Sequence, residues 1–189
     1  FYDELDIKQL SEDRLMEDVF EDALKNGEFQ LWYQPKVDPV TGNILGAEAL
    51  IRWKRPDGTM LSPGKFIPLF EKNGNITTLD EYVFRTVCAQ QQRWLQAGAK
   101  LYPISVNISR VSLYYSNVVD KYREILNSFR LDPKYVPLEI TESATIDNSD
   151  ISSLIDQFHE AGFTLLLDDF GSGYSSLNTL KDINVDTLK

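Results

Sequence analysis

The sequence contains very little cysteine or histidine and no long apolar run. Cys88 and His159 are the sole members of their types among 189 residues. A disulfide framework is therefore excluded, as is a zinc site built on cysteine and histidine ligands. No stretch approaches the roughly 18 uncharged apolar residues of a membrane span, and residues 1–14 are too acidic and polar for a secretory signal. These absences predict a cytoplasmic domain, whether or not the parent protein is anchored in a membrane elsewhere.

Positive charge is also in short supply. Lysine and arginine number 19 against 29 aspartates and glutamates, which gives a net charge of -10. We therefore expect no basic stripe for a nucleic-acid polymer and no direct membrane contact. A small phosphate-bearing ligand is compatible with this charge, because a divalent cation in an acidic cluster reverses the local sign.

The two rare residues have simple structural interpretations. Cys88 lies in the helical pattern EYVFRTVCAQQQRWL, which favours a buried structural thiol over a reactive one. His159 lies near the end of a predicted helix, where a surface residue that interacts with the helix dipole is favoured over a ligand or a base. With His159 as the one available base, no histidine-assisted nucleophile is predicted.

Apolar periodicity predicts strands and helices that alternate along most of the chain. We expect helices from Ser11 to about 26, at 65–74, from Thr78 to about 97, and at 112–129, 152–162 and 175–182. We expect strands at residues 29–37, 43–53, 102–108, 136–140, 163–167 and 185–189. Ser11 is the expected N-cap of the first helix, and Thr78 with Glu81 the expected capping box of the third.

The order of these elements predicts an α/β fold. The first two strands are joined by the turn sequence DPVTG, which predicts a hairpin. The later alternation predicts a parallel sheet covered by helices. Residues 1–26 are interpreted as a linker and N-terminal helix, and 27–189 as one domain. An eightfold barrel takes about 250 residues, so this chain is short for a complete one.

Acidic residues fall where predicted strands end or at a turn: Glu48, Glu139, Glu142, Asp168 and Asp169. Carboxylates at the C-terminal ends of barrel strands can form a metal-dependent active site. Each has a simpler alternative, however. Glu48 either binds a metal or pairs with Arg52, and Glu139 is a ligand, a cap or an ion-pair partner.

Asp168 and Asp169 give the strongest single signal. Two adjacent carboxylates after an apolar strand repel each other, and a shared cation relieves that repulsion. The alternative is that one of them caps the following turn. The string DFG that begins at Asp169 does not indicate a protein kinase, because no glycine-rich nucleotide loop or catalytic-loop motif precedes it.

Two further polar residues end predicted strands. Asn107 offers an amide oxygen to a hard metal such as Mg²⁺ or Mn²⁺, or it caps the next helix. Lys189 either orients a metal-bound water or is a surface charge. Spacing alone leaves both choices open.

Six segments together resemble the EAL domain, the bacterial cyclic-di-GMP phosphodiesterase. They are WYQPK (32–36), EALIRW (48–53), SVNIS (105–109), LEITES (138–143), LLLDDFGSGYSSL (165–177) and VDTLK (185–189). The resemblance implies a modified TIM (β/α)8 barrel of the EAL type, truncated here after about the first two-thirds. It also implies hydrolysis of cyclic di-GMP to linear pGpG with two Mg²⁺ or Mn²⁺ ions.

The resemblance implies roles for individual residues. The first metal would be bound by Glu48, Asn107, Glu139 and Asp168, and the second by Asp168 and Asp169. Lys189 matches the lysine that assists the attacking water, and Glu142 matches the glutamate that anchors the loop at 170–176. The residues matched to substrate contacts are Gln34, Leu50, Arg52, Asp168 and Gly171.

The resemblance also implies partners. In this family the loop at 170–176 links substrate and metals to dimerisation, so we expect a homodimer. Residues 1–24 resemble the linker that follows a GGDEF domain, so we expect such a domain upstream. The family's later segments, including a further glutamate for the second metal, are absent from this sequence. The alternative to an enzyme is therefore a non-catalytic cyclic-di-GMP receptor or dimerisation module, above all for the 189-residue piece alone.

Overall fold

A computed structural model describes residues 4–142, 144, 151–169 and 183–189, with side chains from residue 10 onward. In these residues one mixed sheet packs against several helices. The helices are α1 (Glu4–Lys25), α2 (Pro63–Asn73), α3 (Ile76–Gln96), α4 (Arg110–Leu113), α5 (Val118–Phe129) and α6 (Ile151–Glu160), with a short 3-10 helix at Pro133–Tyr135. The strands are β1 (Phe29–Val37), β2 (Ile44–Lys54), β3 (Met60–Leu61), β4 (Ile104–Asn107), β5 (Leu138–Thr141), β6 (Leu165–Asp168) and β7 (Thr187–Leu188).

The strands follow the order β1-β2-β4-β5-β6-β7, and β3 pairs with β2 outside that path. β1 and β2 are antiparallel, and the Asp38 side chain stabilises their turn by accepting hydrogen bonds from the N–H groups of Val40 and Thr41. Every later pair along the path is parallel. The hairpin and the parallel α/β sheet predicted from the sequence are therefore confirmed.

The larger core lies between the parallel strands and helices α3, α5 and α6. Alternate strand residues, among them Val106, Ile140 and Leu167, are fully buried against these helices. Burial of each such side chain stabilises the fold by about 1.5–3 kcal/mol. Because strand residues alternate between faces, the residues between them in sequence are left for the opposite face of the sheet.

A smaller aromatic core fixes the hairpin to helices α1 and α2. The rings of Phe29 and Trp53 lie 4.7 Å apart, and those of Phe66 and Phe70 lie 5.7 and 5.8 Å from Trp53. The buried indole N–H of Trp53 donates to Glu28 at 2.8 Å, so its polar atom is paired. This core holds in place the strand that carries Glu48.

The starts of the helices are where the sequence prediction was wrong. α1 extends back to Glu4, so Ser11 lies inside the helix and does not cap it. α3 begins at Ile76, so Thr78 is not its cap. In α3, burial of Ile76 and Leu79 against the smaller core accompanies the earlier start of the helix. The part of α1 around Ser11 is exposed, so packing does not explain its extension to Glu4.

The helix predicted at 112–129 is divided in two. Asn117 adopts a left-handed φ of 71°, which interrupts the chain between α4 and α5. Ser109 caps α4, since its hydroxyl accepts a hydrogen bond from the N–H of Ser112 at 3.1 Å. The helix predicted at 175–182 lies outside the described residues.

The prediction for Cys88 is confirmed. The side chain is fully buried in α3, and burial raises the pKa of its thiol to about 12. A thiol with such a pKa is inert at neutral pH. None of the helices in the described part of the chain is long and apolar enough to cross a bilayer.

Candidate metal centre

The strand register gathers the candidate site residues on one face of the sheet. Asn107 of β4 pairs with Glu139 of β5, and it lies two residues beyond the register partner of Glu48. Asp168 of β6 likewise lies two residues beyond the partner of Glu139. Because side chains two residues apart in a strand share a face, all four point away from the helical layer.

Three carboxylates meet on this face. One oxygen from each of Glu48, Glu139 and Asp168 lies within 4.8 Å of the other two. Such a group of hard oxygen donors suits Mg²⁺ or Mn²⁺, and the like charges repel one another unless a cation lies among them. The arrangement therefore fits a divalent metal centre.

Lys189 places a positive charge among these carboxylates. Its ammonium Nζ lies 2.8 Å from Glu48 Oε2, 2.6 Å from Glu139 Oε2 and 3.7 Å from Asp168 Oδ2. Burial alone would lower the pKa of this lysine, but its hydrogen bonds to Glu139 and Glu48 outweigh that effect, so the pKa lies above its ordinary value. Of the two sequence interpretations, the structure places Lys189 in the site and not at a remote surface.

Glu139 is the most buried member of the group, with no exposed side-chain area. Its Oε1 atom accepts from Lys36 at 2.6 Å and its Oε2 atom accepts from Lys189 at 2.6 Å. Burial alone would raise the pKa of this carboxyl, but hydrogen bonds from Lys189, Lys36 and Ser105 more than offset it. The pKa of Glu139 therefore lies below its ordinary value, and the group is a carboxylate at neutral pH.

Lys36 was not singled out by the sequence analysis. Besides Glu139, its ammonium donates to the buried hydroxyl of Ser105 at 2.8 Å. A signal was present, since Lys36 follows Gln34 by two residues in β1 and so shares its face. The distance of 103 residues between Lys36 and Glu139 hides the contact from any local pattern.

Asn107 faces the carboxylates and does not cap the next helix. Its side-chain N–H donates to Glu48 Oε1 at 3.1 Å, while Ser109 supplies the cap of α4. Glu48 therefore pairs with Asn107 and Lys189, and no described ion pair joins it to Arg52. The amide oxygen of Asn107 remains a suitable ligand for a hard metal.

The two adjacent aspartates have different surroundings. Asp168 Oδ1 accepts a hydrogen bond from the backbone N–H of Asp169 at 3.0 Å, which leaves Oδ2 toward Lys189. Asp169 is exposed and adopts a left-handed φ of 57°, a conformation that aspartate tolerates better than most residues. Its carboxylate does not belong to the group of three, so its role at a second metal stays a prediction.

Three of the residues matched to substrate contacts, Gln34, Leu50 and Arg52, lie along the hairpin beside the centre. Gln34 is exposed in β1 and pairs in register with Glu48. Leu50 is half-buried and pairs with Trp32, and Arg52 stacks its guanidinium 6.0 Å from the Trp32 ring. Together these side chains form one rim of the site.

A cavity of about 480 Å³ adjoins this rim. Its wall is mainly apolar and includes Leu50, Ile67 and Val83, and Asn107 links it to the carboxylates. Glu71 and Arg110 add charged groups. Concave sites of this size and character commonly hold small organic ligands.

The remaining predicted residues lie at or beyond the edge of what the structure describes. Glu142 is buried directly after β5. Gly171 and the loop at 170–176 lie outside the described residues, so the predicted link between Glu142 and that loop stays a prediction.

Comparison with known proteins decides the family. The model of the EAL domain matches residues 17–189. The chain belongs to the EAL domain family. The fold prediction is thereby confirmed as an α/β fold of the EAL type, of which the described residues form part.

Curated relatives of this EAL domain include proteins named for enzymes that act on cyclic di-GMP. The chain is 39% identical over 168 residues to the bifunctional diguanylate cyclase/cyclic di-GMP phosphodiesterase MucR of Pseudomonas aeruginosa, covering 88% of this chain and 24% of MucR. It is 36% identical over 175 residues to the cyclic di-GMP phosphodiesterase NbdA of the same species, covering 92% of this chain and 22% of NbdA. The chain thus spans about a quarter of the length of these relatives.

A solved structure supports the same assignment. The PaMucR phosphodiesterase in complex with c-di-GMP superimposes with a TM-score of 0.85 at 35% identity, covering 92% of this chain and 71% of that chain. The described elements of this EAL domain therefore have the arrangement seen in a relative that holds the dinucleotide.

A further polar contact in the EAL domain connects the helical layer to the strand that leads to Lys189. His159 of α6 lies 3.0 Å from Asp186, and the same Asp186 oxygen accepts from the backbone N–H of Leu165 at 2.8 Å. His159 lies in the last turn of α6, as predicted, and its partly exposed side chain contacts Asp186. Asp186 fixes the start of β7 beside the start of β6, and with it the position of Lys189.

Proposed function

We propose that the protein is a cyclic-di-GMP phosphodiesterase that opens the cyclic dinucleotide to linear pGpG with two divalent cations, Mg²⁺ or Mn²⁺. The observation that carries this proposal is the convergence of Glu48, Glu139 and Asp168 around the Lys189 ammonium. EAL phosphodiesterases are metal-dependent, and the group of three offers hard oxygen donors suited to such metals.

The carboxylates and Asn107 divide between two ion sites in this proposal. Glu48, Asn107, Glu139 and Asp168 hold the first ion, and Asp168 with Asp169 contributes to the second. When bound, such ions polarise the phosphoryl group and lower the pKa of the attacking water. The fixed strand ends keep these ligands aligned before substrate arrives, which supports catalysis by preorganisation.

Lys189 has two tasks in the proposed reaction. Its ammonium donates hydrogen bonds, so it can orient the attacking water by donating to one lone pair of the water oxygen. Its charge also offsets part of the repulsion among the three carboxylates and the incoming phosphodiester.

The hairpin rim and the cavity supply the proposed substrate contacts. Arg52 offers a guanidinium to a phosphate oxygen, and Gln34 offers an amide beside Glu48. Leu50 lies between the metal centre and the apolar cavity, whose volume of about 480 Å³ accommodates a nucleobase. The substrate would then lie across the carboxyl ends of the strands, and Gly171, which lies outside the described residues, stays a proposed contact from the resemblance.

The wider protein enters the proposal through its partners. We propose a cytoplasmic domain downstream of a GGDEF domain, joined through α1, and a homodimer formed through the loop at 170–176. The relative MucR is named as both a diguanylate cyclase and a phosphodiesterase, which supports the expectation of a GGDEF domain upstream.

The test is to incubate the full-length parent protein with cyclic di-GMP and either Mg²⁺ or Mn²⁺ and to separate the products by chromatography. We expect pGpG from the wild type and none from Glu48→Gln, which keeps the shape of the side chain but removes its charge. Glu160→Gln, the same change at an exposed position of α6, is the matched control and should retain full turnover. If the protein binds cyclic di-GMP but forms no pGpG, the proposed phosphodiesterase activity is refuted and the protein is a non-catalytic cyclic-di-GMP receptor.

A further inference from the structure

We propose that Lys36 is a positioning residue of the metal centre, holding Glu139 by one oxygen so that the other is presented to the metal. The inference rests on the proposed function, since it assigns a support to one of the proposed ligands. It is based on the different partners of the two Glu139 oxygens: Oε1 accepts a hydrogen bond from Lys36, while Oε2 faces the centre and accepts one from Lys189. A carboxylate held in this way is restricted to binding a metal through one oxygen.

The contact is built into the sheet. Lys36 lies on β1, yet its ammonium reaches past β2 to Ser105 on β4 and Glu139 on β5. The register partner of Lys36 in β2 is Gly46, so no side chain stands beside Lys36 on that strand. Ser105 is itself oriented, because its hydroxyl donates to the carbonyl of Ala47 at 3.3 Å.

The burial of Glu139 explains why a dedicated cation is needed. Its side chain has no exposed area, whereas Lys36 keeps about a third of its side chain exposed. An unpaired carboxylate at such a position would be costly, because water cannot solvate it. Lys189 is shared among Glu48, Glu139 and Asp168, while the ion pair of Lys36 is with Glu139. Lys36 therefore compensates Glu139 independently of the cation at the centre.

Support from outside the ligand set commonly changes metal affinity. Loss of such a partner typically weakens binding by about 10- to 100-fold. A purely electrostatic contribution would act in the opposite direction, since removal of a nearby positive charge makes the site more attractive to a cation. The sign of the change thus separates positioning from simple charge repulsion.

The experiment measures Mn²⁺ binding to the protein by titration calorimetry, without substrate. We expect Lys36→Met to weaken Mn²⁺ binding by about 10- to 100-fold while the circular dichroism spectrum is unchanged. Lys134→Met is the matched control, because Lys134 pairs with Asp132 at 2.8 Å on an exposed surface far from the carboxylates in the sheet. Its Mn²⁺ affinity should equal that of the wild type.

Two more variants keep the test decisive. Lys36→Arg retains the charge and the donors, so it should recover most of the lost affinity; an affinity as low as that of Lys36→Met would overturn the role of the ion pair. If Lys36→Met does not fold, Lys36→Gln takes its place, because it removes the ammonium but keeps a polar side chain at this half-buried position. Lys36→Gln should weaken Mn²⁺ binding about as much as Lys36→Met, and an unchanged affinity would overturn the proposal.

The outcomes distinguish this inference from the proposed function. A wild type that binds Mn²⁺ and produces pGpG, beside a folded Lys36→Met that binds Mn²⁺ equally well or more tightly, refutes the positioning role alone. A wild type that binds no Mn²⁺ refutes the proposed metal centre itself.

Discussion

The two faces of the parallel strands have opposite characters although they are built from neighbouring residues. Val106, Ile140 and Leu167 face the helices and are fully buried in apolar surroundings. Asn107, Glu139 and Asp168, each next to one of them in sequence, face the other side, where Asn107 donates to Glu48 and Lys189 contacts both Glu139 and Asp168. We call the side of the sheet toward the helices the outer face and the side that carries Asn107, Glu139 and Asp168 the inner face. The outer face contributes stability in proportion to the apolar area it buries. Paired charges on the inner face contribute little net stability, so their arrangement is best understood through the chemistry it permits.

The largest expected effect comes from the inner face. Glu48→Gln should reduce the rate of pGpG formation by about a thousandfold or more, because it removes the charge of a ligand at the reacting centre. Its unfolding free energy, measured by urea denaturation, should stay close to that of the wild type. A loss of stability large enough to unfold the protein would contradict the view that the inner face serves catalysis and the outer face stability.

The outer face should show the reverse pattern. Ile140→Ala, one residue from Glu139, removes buried apolar volume and should lower the unfolding free energy by about 2–5 kcal/mol. Ile140→Val is the graded control, expected to cost about 0.5–1.5 kcal/mol. Urea denaturation gives both values, and turnover by the folded fraction should be preserved. An Ile140→Ala protein as stable as the wild type would show that this face is not the source of stability.

Gly46 is an inner-face position at which packing also matters. A Cβ atom there would lie 2.6 Å from the backbone carbonyl oxygen of Pro103, which already accepts a hydrogen bond from Ala47. Gly46→Ala should therefore lower the unfolding free energy by about 1–3 kcal/mol, because the backbone must move. Gly64→Ala is the control, since a Cβ atom meets nothing within 4 Å there. Equal thermal midpoints for the two variants would contradict the predicted clash.

Asp80 is an acidic residue buried in helix α3, and its substitution should give the smallest of the predicted effects on the unfolding free energy. It accepts hydrogen bonds from the N–H of Ser109 at 2.8 Å and from the hydroxyl of Ser112 at 2.7 Å. Burial nevertheless raises the pKa of its carboxyl from 3.8 to about 6. The unfolded chain thus releases this proton at lower pH than the folded one, so Asp80 makes the unfolding free energy fall as pH rises from about 4 to about 6.

Asp80→Asn removes that proton and keeps an acceptor for Ser109 and Ser112. Between about pH 5 and pH 7.5, the wild type should lose about 1 kcal/mol of unfolding free energy that Asp80→Asn does not lose. Denaturation curves for both proteins at a series of pH values provide the measurement. Parallel pH profiles would show that Asp80 does not titrate in this range.

The sequence identified the inner-face carboxylates as candidates because part of their signal is local, and the resemblance to the EAL domain then favoured the ligand role over the simpler alternatives. A strand of period two that ends in a polar residue places that residue at the carboxyl edge, and parallel neighbours bring such edges together. Asp168 satisfies this condition as the last residue of β6, whereas Glu48 lies within β2 and Glu139 is the second residue of β5. Their convergence needed no knowledge of distant contacts beyond the parallel topology.

The parts that escaped prediction depend on contacts between distant residues. Lys36 lies 103 residues from Glu139, and no local pattern states which buried acid a strand lysine will reach. Thr78 carried good capping chemistry, but α3 begins two residues earlier, where Ile76 is buried. Ser11 lies inside α1 in an exposed part of that helix, and nothing in the structure explains why its capping signal was not used. Asn117 broke a helix by a left-handed turn that asparagine permits without requiring it.

The contact between His159, Asp186 and Leu165 sets the register of a very short strand. β7 has two residues, too few for its own pairing to define one alignment against β6. A slip by one residue would exchange the faces of every side chain in β7, bringing Leu188 to the place beside Asp168 and turning Lys189 toward the helices. A hydrogen-bonded acid on the outer side of the sheet, together with the backbone bonds of Asp186 and Lys189 to β6, thereby determines whether the carboxylates meet an ammonium or a hydrocarbon.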